Sequence, residues 1–362
     1  MDINLILRST MKKYVLTMLM SIVSMMFAVS VFADNPKVAF VYVGPVGDGG
    51  WTYAHDLGRQ ELEAMGVETT YVESVPETDS KRVLRNLARK GYDIIFTTSF
   101  GYMDDTLEVA KDFPDTIFMH CSGFKQSENM GNYFARMYQA RFLVGMVAGL
   151  TTKTDKIGII GSFPIPEIIR HINAFTLGAR SVNSNAEVQV LWVNSWFDPA
   201  KEAAAAGALI DNGADVVTIT TDSAAATQTA EKRGVYSIGN DSDMTLYGPA
   251  AHLTANVYNW GIYYKHIYEQ VKNGSWTPTN DWWSMDTGIV SISPYGDMVP
   301  QDTRNTVNTI QRAMNTGEFK VFQGPIYDRN GDLAIKSGEV PTDQELLSMD
   351  YFVEGVLGDL PK

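Results

Sequence analysis

The sequence predicts an α/β protein with two doubly wound lobes. Short apolar runs alternate with helical patterns in two successive series of similar length. The runs are apolar throughout, which is typical of parallel strands that are covered on both faces. A chain of 362 residues is also long enough to form two domains. We therefore expect two parallel sheets rather than one oversized sheet.

The first series begins with the apolar run at 37–43. It predicts strands at 37–43, 68–73, 93–98 and 116–120, separated by helices at 52–65, 79–90 and 104–112. The polar, turn-rich stretch at 122–129 then breaks the rhythm. We interpret this stretch as a crossing between the lobes.

The second series opens with a helix at 140–151. It predicts strands at 156–161, 187–193, 215–220 and 235–238, separated by helices at 166–182, 198–212 and 223–233. Further elements are predicted at 252–256 (strand), 259–272 (helix), 287–292 (strand), 302–316 (helix) and 343–357 (amphipathic helix). Asn330 and Gly331 form a turn signal before the last helix.

Residues 1–33 have the pattern of a cleavable export signal. Lys12 and Lys13 are followed by an apolar segment at 14–29, and small residues before the cut predict cleavage after Ala33. Residues 1–10 are interpreted as an upstream extension. No cysteine follows the apolar segment, so we expect a free, exported protein rather than a lipoprotein.

Charge and cysteine content narrow the function further. The formal net charge is -13 and no basic patch is present, which argues against nucleic acid or an anionic membrane surface as a partner. The single cysteine, Cys121, ends an apolar run, and we expect a buried structural thiol rather than a nucleophile.

No motif for catalysis or metal binding stands out in the sequence. Phosphate-binding loops, nucleophile elbows, zinc-protease motifs and cysteine pairs are missing, and the 5 histidines are scattered without metal-ligand spacing. We therefore expect neither a metal nor a cofactor.

Aromatic and carboxylate side chains recur where the predicted strands end. These residues are Asp48, Trp51, Phe100, Tyr102, Asn194, Trp196, Asp222 and Asp241, with Tyr53 close behind the first strand. Ligands of open α/β sheets lie at the carboxyl ends of the strands, where one aromatic ring from each lobe can enclose a flat ring. Asp222 is also a plausible helix cap, and Trp51 could instead cover the core. We expect the glycines at 47–50 to leave room for a flat ligand beside Trp51.

Four motifs carry a family resemblance. They read Gly-Trp-Thr-Tyr at 50–53, Thr-Thr-Ser-Phe-Gly-Tyr-Met-Asp at 97–104, Gly-Ser-Phe-Pro-Ile-Pro-Glu at 161–167 and Asn-Ser-Trp-Phe-Asp-Pro at 194–199. With them the chain resembles the basic membrane protein family of ABC-transporter substrate-binding proteins, which includes purine nucleoside receptors. The resemblance implies a type I periplasmic binding fold and a monomer in the periplasm that delivers a small molecule to an inner-membrane ABC permease.

The resemblance also implies roles for individual residues. Trp51 and Trp196 take the two positions of the stacking aromatic residues, and Asp241 takes that of an aspartate that contacts ribose. Tyr258 stands where nucleoside receptors have a ribose-holding lysine, and Ser122 stands where they have a base-reading aspartate. These departures favour a free purine base, with adenine as the first choice, over a nucleoside. A nucleoside, riboflavin or another flat heterocycle remains an alternative ligand.

The fold implied by the resemblance divides the chain into two lobes around a ligand cleft. We expect the first lobe at 34–124 plus about 253–285 and the second at 125–252 plus about 286–362. The competing hypothesis is an exported enzyme acting on nucleosides or bases, with Asp48 or Asp241 as general base.

Overall fold

Two large sheets organise residues 35–361, the part of the chain described by the computed structural model. The first sheet consists of β1 (Val38–Val41), β2 (Thr69–Val72), β3 (Ile94–Thr97), β4 (Ile117–Cys121), β5 (Met130–Ala135) and β11 (Asn280–Trp283). Its order is β11-β5-β4-β3-β1-β2, and every pair is parallel. Alternate residues of β1 enter different cores, with Phe40 in one and Ala39 in the other. The uniformly apolar sequence of this strand follows from burial on both faces.

The second sheet has seven strands. They are β6 (Lys156–Gly161), β7 (Glu187–Trp192), β8 (Val216–Ile219), β9 (Tyr236–Asp241), β10 (His252–Tyr258), β12 (Val290–Ile292) and β15 (Val356–Leu357). The order is β12-β10-β9-β8-β6-β7-β15, and only the β10–β12 pair is antiparallel. A separate hairpin joins β13 (Ile326–Tyr327) to β14 (Leu333–Ile335), and its connection contains the predicted turn at Asn330 and Gly331.

Ten α-helices lie within residues 35–361. They are α1 (Trp51–Ala64), α2 (Ser80–Arg89), α3 (Met103–Asp112), α4 (Tyr138–Thr151), α5 (Pro166–Val182), α6 (Pro199–Asp211), α7 (Ala225–Arg233), α8 (Trp260–Lys272), α9 (Gln301–Asn315) and α10 (Asp343–Leu347). Helix α8 packs on α1 of the first lobe, where the Tyr264 hydroxyl and His55 Nδ1 form a hydrogen bond.

Helices α4 and α5 cross at very short range. A β-carbon added to Gly145 would lie 2.1 Å from the carbonyl oxygen of Phe175, and one added to Gly178 would lie 2.0 Å from that of Phe142. Only glycine permits backbones to approach this closely. The contact fixes the position of α5, whose first turn points toward the region between the two sheets.

The division into lobes differs from the predicted one at two strands. The chain passes between the sheets after β5, after β10 and after β11. The prediction placed residues 125–135 in the second lobe, but β5 pairs with β4 in the first sheet. It placed residues 253–258 in the first lobe, but β10 pairs with β9 in the second sheet. The turn-rich stretch at 122–129 therefore connects two neighbouring strands of one sheet and is not a crossing.

The predicted C-terminal helix at 343–357 is also wrong for most of its length. Helix α10 ends at Leu347, and the chain then continues through turns and irregular segments until Val356 and Leu357 pair with β7 and form the edge strand of the second sheet. Val353 and Val356 are buried in this arrangement, so tertiary packing overrides the local helical pattern.

Candidate functional site

A cleft lies between the carboxyl ends of the two sheets. Seven predicted site residues line the cleft: Trp51, Phe100, Ser122, Trp196, Asp222, Asp241 and Tyr258. Both lobes contribute to its walls.

Trp51 is held rigidly at the start of α1. Its indole Nε1 donates a hydrogen bond of 2.7 Å to the carbonyl oxygen of Thr98, which follows β3. The rings of His55, Tyr258 and Trp260 pack against the indole in T-shaped arrangements, with interplanar angles of 82–84° and ring centroids 4.4–5.7 Å apart. The ring is thus locked in one orientation and still lines the cleft.

Trp196 enters the cleft from the second lobe, in the loop that joins β7 to α6. Its ring lies 5.0 Å from that of Phe163, and its backbone carbonyl accepts a hydrogen bond of 2.9 Å from the amide of Asp222. Each lobe therefore contributes one tryptophan to the same cavity.

The Gly-rich loop at 47–50 makes contact with the opposite lobe. A β-carbon on Gly50 would lie 2.4 Å from the carbonyl oxygen of Asp222, and one on Gly49 would lie 3.1 Å from the Tyr247 hydroxyl. The Ser242 hydroxyl also donates a hydrogen bond to the carbonyl oxygen of Gly49. These glycines were expected to make room for a ligand; instead, they make room for the other lobe, and the cleft is closed.

Asp48 has a structural function at the start of α1. Its carboxylate accepts hydrogen bonds of 2.9 Å from the backbone amides of Gly50, Thr52 and Tyr53. Burial raises the pKa of this carboxyl, and the three amides oppose that shift. Asp48 is therefore a capping residue beneath the loop, and the predicted place in the cavity wall is not observed.

Three other predicted residues also lie outside the cavity wall. Tyr102 is fully buried and donates a hydrogen bond to the carbonyl oxygen of Val75, so its aromatic ring belongs to the core of the first lobe. Tyr53 is exposed, since it follows Trp51 by two positions and faces a different side of α1. Asn194 is exposed with φ of 52°, so it turns the chain after β7.

Seven polar residues of the cavity wall were missed by the sequence analysis. They are Thr98, Ser99, Arg141, Glu167, His171, Thr220 and Asn240. The Arg141 guanidinium donates to the side-chain oxygen of Asn240 at 2.5 Å and to the carbonyl oxygen of Ile219 at 2.7 Å. Glu167 ends the family motif at 161–167, and this motif was the sequence feature that could have identified it as a site residue. Arg141 and His171 lie inside helices, where the sequence carried no comparable signal.

Several polar groups in the wall have no protein partner. Among residues 35–361, neither the Tyr258 hydroxyl nor Nε2 of His171 has a hydrogen-bond partner, and both residues line the cavity together with the carboxyls of Asp222 and Glu167. Asp222, Tyr258 and His171 are 4, 5 and 4% exposed. Buried polar groups normally have a hydrogen-bond partner, so this wall is suited to a polar ligand.

The carboxyl groups of the wall are difficult to ionise together. Burial raises the pKa of Asp222 well above its ordinary value, and the nearby charges of Asp48 and Asp241 add to the shift. Burial raises the pKa of Asp241 to about 8 against the opposing charge of Arg141, and that of Glu167 to about 7 against the charge of Arg170. The pKa of His171 is well below its ordinary value because of burial, so its imidazole is neutral.

Cys121 is fully buried at the end of β4, as predicted. Burial raises the pKa of its thiol well above the ordinary value, which keeps the sulfur protonated and unreactive.

The family model for Bmp, an ABC transporter substrate-binding protein that is PnrA-like, matches residues 35–321. The chain belongs to the Bmp family. The predicted family resemblance is thereby confirmed. This Bmp-family protein is 47% identical over 333 residues to a purine-binding protein of Brucella abortus, with 91% of this chain and 95% of that protein covered. It is 38% identical to a putative ABC transporter glucose-binding protein of Haloferax volcanii, with 91% and 82% covered.

Solved structures confirm the fold of this Bmp-family protein. An ABC transporter solute-binding protein from Aeropyrum pernix matches with a TM-score of 0.69 at 18% identity, covering 79% of this chain and 93% of that one. One from Conexibacter woesei matches with a TM-score of 0.67 at 23% identity, covering 79% and 98%. These likenesses support the predicted type I periplasmic binding fold. Across the described part of the Bmp-family chain, every helix is too short or too polar to cross a lipid bilayer.

Proposed function

We propose that this Bmp-family protein binds a purine base, adenine in the first place, between Trp51 and Trp196. The observation that carries the proposal is the closed cleft, to which each lobe contributes one tryptophan and in which buried polar groups have no protein partner. In this proposal the protein is a periplasmic monomer that presents its ligand to an ABC permease.

The two indoles suit a flat, aromatic ligand. Stacking of a nucleic-acid base on an aromatic side chain contributes about 1–3 kcal/mol. Trp51 is already fixed by Thr98 and by its aromatic neighbours, so little side-chain entropy is lost when a ring stacks on it.

The polar groups suit the edges of a purine. Ring N–H and amino groups can donate to carboxylates, and ring nitrogens can accept from a neutral carboxyl or a tyrosine hydroxyl. Asp222, Asp241, Glu167 and Tyr258 provide both kinds of partner within one cavity.

A free base is favoured over a nucleoside by Tyr258. This residue stands at the position of the ribose-holding lysine in the nucleoside receptors that the chain resembles. Its ring stacks on Trp260 with centroids 4.4 Å apart, and its edge meets Trp51. The aromatic ring fills space beside the first tryptophan that a sugar would need. The purine-binding relative from Brucella abortus also supports a purine-type ligand.

The hypothesis of an exported enzyme has less support than that of a binding protein. Asp48 is occupied by three backbone amides, so it is not available as a general base. Among residues 35–361 no cluster of histidine, cysteine and acidic side chains is arranged to hold a metal ion. We propose that the protein binds its ligand without chemical change.

Export through a cleavable signal belongs to the same proposal. The predicted signal at 1–33, with its upstream extension at 1–10 and the cleavage after Ala33, lies outside the described residues. Mass spectrometry of the protein from a periplasmic extract would identify the first residue.

Calorimetric titration with adenine, hypoxanthine, adenosine, riboflavin and glucose tests the ligand class. Adenine is expected to bind with a Kd below about 10 μM, and adenosine at least about tenfold more weakly, because Tyr258 opposes the ribose. Glucose is included because sugars also stack on tryptophan and because a relative is described as glucose-binding. Preferential binding of glucose or riboflavin, or no binding of any purine below about 1 mM, would contradict the proposal.

A further inference from the structure

Within the proposed purine site, we propose that Glu167 accepts a hydrogen bond from the exocyclic amino group and thereby selects 6-aminopurines over 6-oxopurines. This inference rests on the proposed function and adds the residue that sets its specificity. Glu167 is one of the wall residues for which the sequence analysis predicted no role.

The first turn of α5 points its side chains into the cleft. Glu167, Ile168 and His171 line the cavity, which agrees with the spacing of residues on one helical face. Pro166 is the first residue of the helix, so the free backbone amides of the helix start lie close to Glu167.

Arg170, the cation nearest to Glu167 along the helix, is held by contacts with other parts of the second lobe and of the first sheet. Its guanidinium donates to the carbonyl oxygen of Leu346 at 2.7 Å and lies 5.0 Å from the ring centroid of Trp282. It therefore assists ionisation of Glu167 at a distance and leaves the carboxylate oxygens free for a ligand.

Glu167 is the acid in the wall that most readily carries a negative charge. The pKa of its carboxyl is about 7, whereas that of Asp241 is about 8 and that of Asp222 is well above its ordinary value. The positive end of the helix dipole at Pro166 also favours a charge at this position. Burial opposes a charge on Asp241 and Asp222 more strongly than on Glu167, so these two carboxyls suit donation to ring nitrogens and Glu167 suits acceptance.

This arrangement distinguishes amino from oxo substituents. A 6-amino group presents N–H donors to the carboxylate, and the adjacent ring nitrogen accepts from a neutral carboxyl. A 6-oxo group would set oxygen lone pairs against the carboxylate and would offer it no donor at that position, which is unfavourable in a partly enclosed site.

The test compares adenine, hypoxanthine and unsubstituted purine in wild type and in Glu167→Gln. The wild-type protein is expected to prefer adenine over hypoxanthine by at least about 100-fold. In Glu167→Gln, whose amide can donate as well as accept, the preference is expected to fall below about tenfold, and hypoxanthine should gain affinity. Purine itself, which has no substituent at this position, should change least.

Glu202→Gln is the matched control. Glu202 is a fully buried glutamate of the same lobe, but its carboxylate accepts from the Asp198 amide and the Ser223 hydroxyl outside the cavity wall. This variant should keep the wild-type ratio of the two affinities. An equal loss of the ratio in Glu202→Gln would show that the effect is not specific to the cavity, and would overturn the inference.

A pH profile gives a second readout. The ionisable groups around Glu167 are Arg170, His171, Arg141, Asp222, Asp241, Tyr258 and Cys121. Because the ionised form of Glu167 accepts the amino group, protonation competes with the ligand, and adenine affinity should fall as the pH drops below about 7. This decrease should be reduced in Glu167→Gln.

The possible outcomes separate the inference from the proposed function. If wild type binds no purine, the proposed function fails. If wild type binds adenine and Glu167→Gln keeps the adenine-to-hypoxanthine ratio, the function stands and the inference is wrong. A changed ratio in Asp222→Asn with an unchanged ratio in Glu167→Gln would likewise assign the amino group to Asp222 and overturn the inference.

Discussion

Replacing Trp51 or Trp196 by alanine is expected to weaken adenine binding roughly 5- to 150-fold, corresponding to about 1–3 kcal/mol of lost stacking for each. The two residues line the same cavity from different lobes. Each substitution therefore removes one face of the proposed sandwich. Calorimetric titration of each variant measures the change.

The controls separate stacking from stability. Trp51→Phe keeps an aromatic face but loses the hydrogen bond to the carbonyl oxygen of Thr98, and should retain most of the affinity. Trp192→Ala removes a tryptophan of the second lobe that packs on Phe352 outside the cavity, and should lower the unfolding temperature without changing adenine affinity. Wild-type affinity in both Trp51→Ala and Trp196→Ala would rule out the sandwich.

Gly50→Ala is expected to weaken adenine binding at least about tenfold by preventing closure of the lobes. The new β-carbon would lie 2.4 Å from the carbonyl oxygen of Asp222, which is backbone and cannot rotate away. Overpacking of this kind costs about 1–3 kcal/mol, and a ligand that needs the closed form loses affinity by the same factor.

Gly47→Ala provides the matched control for closure. A β-carbon on Gly47 meets no atom within 4 Å, so this variant of the same loop should bind and close like wild type. Small-angle X-ray scattering with saturating adenine would measure the radius of gyration, which should stay larger in Gly50→Ala than in Gly47→Ala. Equal compaction and equal affinity in the two variants would show that the Gly50 contact does not limit closure.

Most strands were predictable because burial on both faces of a parallel sheet leaves an unbroken apolar run, as in β1 and β4. Strand β11 was missed because Asn280 and Asp281 begin it, and a polar start followed by two tryptophans does not resemble a buried strand. Strand β5 was missed because Gly131 and Asn132 interrupt its apolar pattern. The predicted lobe boundaries are wrong at β5 and at β10, whereas β11 lies in the lobe that was predicted for it.

The candidate site was predictable where it lies directly after strands. Trp51, Trp196, Asp222 and Asp241 were found because ligand sites of parallel sheets collect at the carboxyl ends. Arg141 lies in a mostly apolar helix, and the packing of the whole lobe places it in the cavity wall. Its position depends on tertiary structure, which the local sequence does not reveal.

The burial of Cys121 has a practical consequence for measuring the motion of the lobes. The chain contains 1 cysteine, and its thiol is inaccessible and protonated in the folded protein. A cysteine introduced at Leu246, which is 93% exposed and adjoins the Tyr247 that contacts Gly49, can therefore be labelled with a thiol-reactive dye without removing the native one. The protein is thus suited to conversion into a fluorescent sensor of its own ligand.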